Sequence, residues 1–255
     1  MSPGRMSPGR DRNGLTLTGS VPRGTTLANP APLTRAVPPA ALALRGAFHP
    51  TEADQVPAFP DGTAAGTLLL LGWTGGAQWP AFAASPEYHD GQPDPLDRWT
   101  RRHLAHAAAQ LDAQALHPGE GPPYLPFQRW AIRAENLTPS PLGLLIHPAW
   151  GLWHAWRGAL ALRERLDLAE TAAAAIPCAG CPRPCLTACP VSAFTPAAYD
   201  TTACATHLGT DHQTCLTTGC AARLACPVHP PVPYSPDQLR FHMAALSIGL
   251  ARAAD

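Results

Sequence analysis

Cys178-Ala179-Gly180-Cys181-Pro182-Arg183-Pro184-Cys185-Leu186-Thr187-Ala188-Cys189-Pro190 opens the stretch on which the reading of this chain turns. Cys215-Leu216-Thr217-Thr218-Gly219-Cys220-Ala221-Ala222-Arg223-Leu224-Ala225-Cys226-Pro227 closes it, and Cys204 lies between. All 8 cysteines of the protein fall here. Cysteine used at random would be scattered over the longer part of the chain that precedes the stretch. Cys189 and Cys226 are each followed directly by proline.

The spacing suits a [4Fe–4S] cube, which needs four thiolates around one small volume. Short steps such as Cys178 to Cys181 turn neighbouring thiolates toward one inorganic core, and a more distant Cys-Pro supplies the last ligand. Runs closed by Cys-Pro resemble those of bacterial two-cluster ferredoxins, where the fourth cysteine of each run ligates the other cluster. Applied here, that crossing gives one cluster Cys178, Cys181, Cys185 and Cys226. The other takes Cys189, Cys204, Cys215 and Cys220, with no thiol left over. The steps from Cys181 to Cys185 and from Cys215 to Cys220 are longer than in the ferredoxin run.

Three other readings compete. Zinc sites also begin with C-x2-C, but they come as paired knuckles without the Cys-Pro endings. A disulfide scaffold suits short secreted chains, and this chain is long and shows no secretory segment. Structural cysteines buried for packing would not cluster in this way.

Working outward, 255 residues allow one or two domains, and a 45% hydrophobic fraction is ample for a core. Charged residues make up 14% and the formal net charge is +0, so bulk charge gives no nucleic-acid surface. Lysine is absent from the sequence, which removes Schiff-base chemistry and the lysine of a phosphate-binding loop. No apolar run reaches membrane-spanning length, and the repeat Met1–Arg10 lacks the apolar centre of a secretory signal. Met6 offers a second start. The expectation is a cytoplasmic chain with no membrane partner.

Residues 1–39, rich in Gly, Pro, Thr and Arg, read as a disordered tail. Gly66–Trp73 reads as a buried central strand between glycines, with Thr74-Gly75-Gly76 as the turn after it. Asp94 and Pro95 open a helix in which Leu96, Trp99, His103, Ala107, Leu111 and Ala115 recur at helical spacing. The second half of Gly121–Glu135 reads as a short helix. Leu142–Pro148 and Trp153–Leu162 read as a β-hairpin, Leu166–Ala175 as a linker, and Ser235 caps a final helix. The expected organisation is a tail over 1–39, an α/β domain over 40–170, a two-cluster domain over 171–234 and a C-terminal helix over 235–255. Metal–thiolate bonds would stand in for an apolar core in the cluster domain.

Ile146-His147-Pro148, Gly151, Trp153, Arg157 and Gly158 lie in a run that resembles the I-H-P-x-x-G-x-W-x-x-x-R-G segment of cobalamin C type proteins, a flavin-reductase-like family that processes cobalamin. Phe48-His49-Pro50 and Asp94-Pro95-Leu96-Asp97 also resemble segments of that family. Such a core followed by two cysteine runs and a lone cysteine between them is similar to epoxyqueuosine reductase, a cobalamin-dependent tRNA-modifying family. The resemblance covers roughly Ala40 to Pro230. It implies an α/β fold, with a nitroreductase-like α+β core and a small C-terminal dicluster ferredoxin-like domain. It also implies a cobalamin pocket touched by His147, Trp153 and Arg157, with Trp150 and Trp156 adding flat surface. The reductase segment D-R-x-x-A-x-R-A carries its catalytic Asp first; here Phe127 stands there, and Glu135–Ser140 replaces the glycine-rich stretch that follows it. That departure points away from epoxyqueuosine reduction and leaves the catalytic residue unassigned.

Two functions follow as expectations. One is electron transfer by two [4Fe–4S] clusters, to a redox partner protein or a small molecule. The other is an oxidoreductase in which the clusters reduce a cobalamin held by the N-terminal domain. Nucleic acid is not expected as a partner.

Overall fold

The computed structural model describes residues 24–172, 176–195, 198–210 and 214–252. Eight strands are numbered in chain order: β1 (Thr25–Leu27), β2 (Ala43–Phe48), β3 (Thr67–Thr74), β4 (Ala113–Leu116), β5 (Thr138–Pro139), β6 (Leu145–Ile146), β7 (His154–Leu162) and β8 (Leu168–Glu170). The helices of the first part are α1 (Ala31–Ala36), α2 (Trp79–Ala83), α3 (Pro86–His89), α4 (Pro95–Leu111) and α5 (Phe127–Glu135). The cysteine region carries α6 (Thr201–Leu208), α7 (Cys215–Thr218) and α8 (Ala221–Leu224), and α9 (Pro236–Arg252) follows it.

The fold is mixed α/β. Its centre is an antiparallel sheet in the order β2-β3-β7-β4. The leucines of β3 alternate between two apolar layers, so both faces are buried and the strand reads as an unbroken apolar run. Leu69, Leu71 and Trp73 join Leu160, Trp99, Leu104 and Phe82 on the α4 side. Leu68 and Leu70 join Ala159, Ala161, Phe127 and Trp130 on the α5 side. A register shift between Leu71 and Gly72 lets β3 follow β7, and a Cβ on Gly72 would stand 2.0 Å from the Ala155 carbonyl oxygen. At Gly158 the neighbours are a side chain and a carbonyl: a Cβ there would lie 2.2 Å from Leu104 Cδ1 and 3.0 Å from the Leu116 oxygen, so its absence brings α4 onto β7.

Four expectations change. From Gly24 onward the tail is structured: β1 pairs with β8, and Leu27, Leu33, Ala36 and Val37 are buried in the α4-side core. The rest of the tail, residues 1–23, lies outside the described residues. The Leu166–Ala175 linker therefore contains a strand. The hairpin does not form, because β6 pairs back to β5 while β7 pairs with β3 and β4; a His147–Gly151 bridge closes the loop between the two runs, and the His154 ring meets the Leu145 carbonyl. Finally, α4 stops at Leu111. Asp112 turns left-handed at φ 48°, and Ala115 then pairs with Leu160 in the sheet.

The cysteine region packs on this core rather than hanging from it. Gly76 N–H donates to the Val232 carbonyl at 2.8 Å, and Arg223 donates to the Leu152 carbonyl at 2.6 Å. At Gly75, Gly76 and Gly151 an added Cβ would meet the Val232, Pro233 and Val228 carbonyls within 2.2 to 2.4 Å, so only glycine admits the crossing chain. Helix α9 joins both parts: Phe241 sits among Trp79, Phe82 and Tyr88, while Met243 and Leu250 pack with Cys215 and Cys204.

Candidate functional site

Turns rather than regular elements carry most of the first cysteine run. Cys178 to Cys181 is a surface turn in which Gly180 takes φ +73°, and Arg183, also left-handed, leads into a short 3-10 turn over Pro184–Leu186. The second run is helical. Asp200 caps α6 by accepting from Ala203 N–H at 2.8 Å, which places Cys204 on that helix. Cys215 begins α7, and Gly219 at φ +99° turns the chain so that Cys220 precedes α8.

These turns sort the eight sulfurs into two groups of four. Cys178, Cys181, Cys185 and Cys226 line one narrow cleft with Ile146, Leu152 and Pro184. Cys189, Cys204, Cys215 and Cys220 line another, larger cavity. Thus Cys226 crosses to the first run and Cys189 to the second. The thiol electrostatics follow the same division. Burial, and after it the neighbouring Cys181, Cys226 and Cys185, raise the Cys178 thiol to about 11. Burial likewise raises Cys204, with Cys189 and Cys215 adding to the rise and a Tyr199 hydrogen bond opposing it. Clustered thiols resist deprotonation because each thiolate repels the next; a bound cation reverses that sign.

Main-chain donors already serve several sulfurs. Arg183 N–H donates to Cys181 Sγ at 3.4 Å and Ala193 N–H to Cys189 Sγ at 3.3 Å. Burial raises the Cys220 thiol, and the N–H groups of Arg223 and Ala222 pull it back. Among the described residues, no three His, Cys, Asp or Glu side chains converge as a single-ion site requires. A cube asks for a wider arrangement, since each thiolate takes its own iron. The donor set therefore fits two cubes: four thiolates apiece, with N–H groups aimed at sulfur. The first cleft holds only about 20 Å³ of free space.

The second cavity holds about 500 Å³ and lies between the cysteine region, the sheet and α9. Its wall is mostly apolar, with Leu144, Val191 and Leu246 exposed at its edge. Arg157 reaches it from β7. The Arg157 side chain lies over Trp73 at 5.2 Å, its Nε has no hydrogen-bond partner, and it has no ion-pair partner among the described residues. Burial lowers its pKa. His242, pushed down to about 3 by burial and by Arg157, stands on the same wall, as do Tyr199, Tyr234 and Arg223.

The other expected pocket residues sit behind this wall. Trp153 is buried, edge-on to Tyr234 at 5.1 Å and under the Arg223 guanidinium at 4.5 Å. His147 stacks on Trp150 at 3.9 Å, and its Nδ1 accepts from Ala149 N–H at 3.0 Å. Trp150 and Trp156 flank Arg45 at 4.7 and 5.3 Å. Arg45 is itself fully buried against Glu135 at 2.8 Å, and burial pushes the Glu135 carboxyl up while Arg45 and Trp156 pull it back. Phe127 is buried against Trp130 in the α5-side core, away from the cavity. Tyr199, Tyr234 and His242 were not singled out by sequence reasoning. Only their helical or loop neighbours gave a signal, and no chemical motif surrounds them.

No protein-family model matches this chain. No curated protein matches it either. Solved structures share its chain course loosely. The C. elegans B12-trafficking protein CblC, a human MMACHC homologue, aligns over 86% of this chain and 93% of its own, at 14% identity and a TM-score of 0.47. An epoxyqueuosine reductase with an epoxyqueuosine-modified tRNA-Tyr stem loop aligns over 86% of this chain and 64% of its own, at 15% identity and a TM-score of 0.42. The epoxyqueuosine reductase from Bacillus subtilis aligns over 86% of this chain at 16% identity and a TM-score of 0.40. The chain spans 64% and 66% of the length of those two reductases. Among the described residues, no helix is long and apolar enough to cross a membrane.

Proposed function

We propose that this chain is an iron–sulfur redox protein. Cys178, Cys181, Cys185 and Cys226 hold one [4Fe–4S] cluster, and Cys189, Cys204, Cys215 and Cys220 hold the other. The observation that supports this reading is that Cys226 lines the cleft of the first run and Cys189 the cavity of the second. When bound, the clusters supply one-electron chemistry, with potentials set by hydrogen bonds to sulfur and by burial. The residues around them divide the work. Cys178 and Cys181 face the surface, where an electron donor can approach, and the second set faces the cavity. Leu142, Phe194 and Met243 exclude water from that cavity wall.

Anaerobic reconstitution followed by iron and sulfide assay tests the reading, with about eight irons expected per chain. Cys178→Ala and Cys226→Ala should each lose the same cluster, and Cys189→Ala the other. Loss of one cluster by Cys178→Ala together with loss of the other by Cys226→Ala would sink the crossed assignment.

A second reading is a cobalamin-linked oxidoreductase in which the cavity accepts part of a corrinoid. What favours it is the place of Arg157, the one member of the Ile146–Gly158 resemblance that lines the cavity beside the second thiol set. Titration of the reconstituted protein with cob(II)alamin should then shift the corrinoid spectrum, and Arg157→Ala should weaken binding without changing iron content. An unshifted spectrum would leave an electron carrier alone.

A further inference from the structure

Resting on the iron–sulfur reading above, we propose that the cavity beside Cys189, Cys204, Cys215 and Cys220 takes a quinone, which the two clusters reduce. A second opening of about 590 Å³ lies between α4 and α9, and Arg157, His242 and Ala245 line both spaces. No cysteine borders that opening, so the polar groups at the junction stand at the end away from the thiols. Arg157 Nε and His242 Nε2 are buried there without a hydrogen-bond partner among the described residues. So is Trp73 Nε1, on a ring 5.2 Å from the Arg157 guanidinium and 6.2 Å from the His242 ring. A guanidinium and an indole N–H only donate, and a neutral imidazole keeps one N–H. Among the described residues, no carboxylate, amide or aliphatic hydroxyl lines the cavity to accept from them. An unpaired buried donor is costly, so the missing acceptor falls to the ligand.

The rest of the wall describes the rest of the ligand. Phe194 and Tyr199 border the cavity with their rings parallel, centroids 4.7 Å apart and planes 7° from parallel, and Tyr234 adds a third ring. Flat aromatic surfaces suit a flat conjugated ring better than a flexible chain. Leu144, Val191 and Leu246 make the approach apolar. The electron count also matches. Each reduced cluster gives up one electron. The quinone gains both, takes two protons from water and leaves as the hydroquinone, with no bond formed to the protein. A one-electron donor approaching Cys178 and Cys181 restores the clusters. Arg157 donates to the carbonyl oxygen on which negative charge builds.

Duroquinone is the probe, because its fully methylated ring leaves no position for a thiol to attack. Durene is the same ring without the oxygens. Equilibrium dialysis against oxidised, reconstituted protein should show saturable duroquinone binding, with durene about tenfold weaker. Arg157→Met should weaken duroquinone about tenfold and leave durene unchanged. Leu246→Trp, at an exposed position on the rim, should weaken both. Iron should be unchanged in the two variants. Anaerobic mixing of fully reduced protein with one equivalent of duroquinone should reoxidise both clusters. Binding that does not saturate, equal affinity for the two probes, or unchanged affinity in Leu246→Trp overturns the proposal. Loss of iron in Arg157→Met also overturns it, since the arginine would then serve the cluster rather than the ligand. Wild-type protein without iron would instead overturn the iron–sulfur reading itself.

Discussion

His154 sits where the sheet meets the cavity, and both of its ring nitrogens are engaged. Arg45 can only donate, so Nδ1 accepts from it at 3.0 Å, and Nε2–H donates to the Leu145 carbonyl at 3.0 Å. The ring is thereby fixed as a neutral imidazole, and burial, then Arg45 and His147, push its pKa down to about 2. The unfolded chain protonates this residue near the ordinary value of 6.5 and the fold does not. Stability from His154 is therefore complete above about pH 6.5 and declines as pH falls below it. His154→Gln keeps one acceptor and one donor but removes the titration. Urea unfolding from pH 6.5 down to 4.5 should show a flatter dependence in the variant, by up to about 1.4 kcal/mol per pH unit. Parallel curves would mean that His154 is protonated in the folded protein.

Glycine separates the elements into those that tolerate a methyl group and those that do not. Gly72, at the register shift of β3, faces the Ala155 carbonyl oxygen at a distance no Cβ can occupy. Gly249 in α9 meets nothing within 4 Å. Gly72→Ala should destabilise by at least about 3 kcal/mol, and Gly249→Ala should stabilise by about 1 kcal/mol through helix propensity. Urea midpoints of the two variants check both signs. The same strand shows what could be read in advance. Leu68–Leu71 was legible because a strand covered on both faces has no polar phase to hide its ends. The supposed hairpin was not. An apolar run in Leu142–Pro148 says that a strand exists but not which strand it joins, and its partner Thr138–Pro139 lies on the other side. Helical spacing likewise carried Ala115 into α4, since nothing in the periodicity marks the left-handed Asp112.

Across the whole molecule, the gathering of the thiols into one region was legible and the cavity was not. Eight cysteines with two Cys-Pro endings constrain one another over a short stretch of chain. The cavity wall is assembled from residues as far apart in sequence as Leu142, Arg157, Cys189, Tyr199, Arg223 and Leu246, and only tertiary packing brings them together. That packing also decides how the protein melts. With α9 rooted in both parts and Gly76 bonded to Val232, the reconstituted chain should unfold in one transition. Gly76→Val, whose side chain would strike the Pro233 carbonyl, should split the melt in two. A single transition in that variant, observed both by tryptophan fluorescence and by cluster absorbance, would show the contact to be dispensable.

The three glycines under residues 228–233 bear on portability. They are hollows cut in the α/β core to the outline of another part of the chain, and that part answers with bare carbonyls in place of side chains. A cysteine segment transplanted to a different host would bring its thiols but leave its floor behind, and α9, which closes the cavity, would stay with the donor. Moving the cysteine region intact to another protein therefore means moving Gly75, Gly76, Gly151 and Phe241 as well as the eight cysteines.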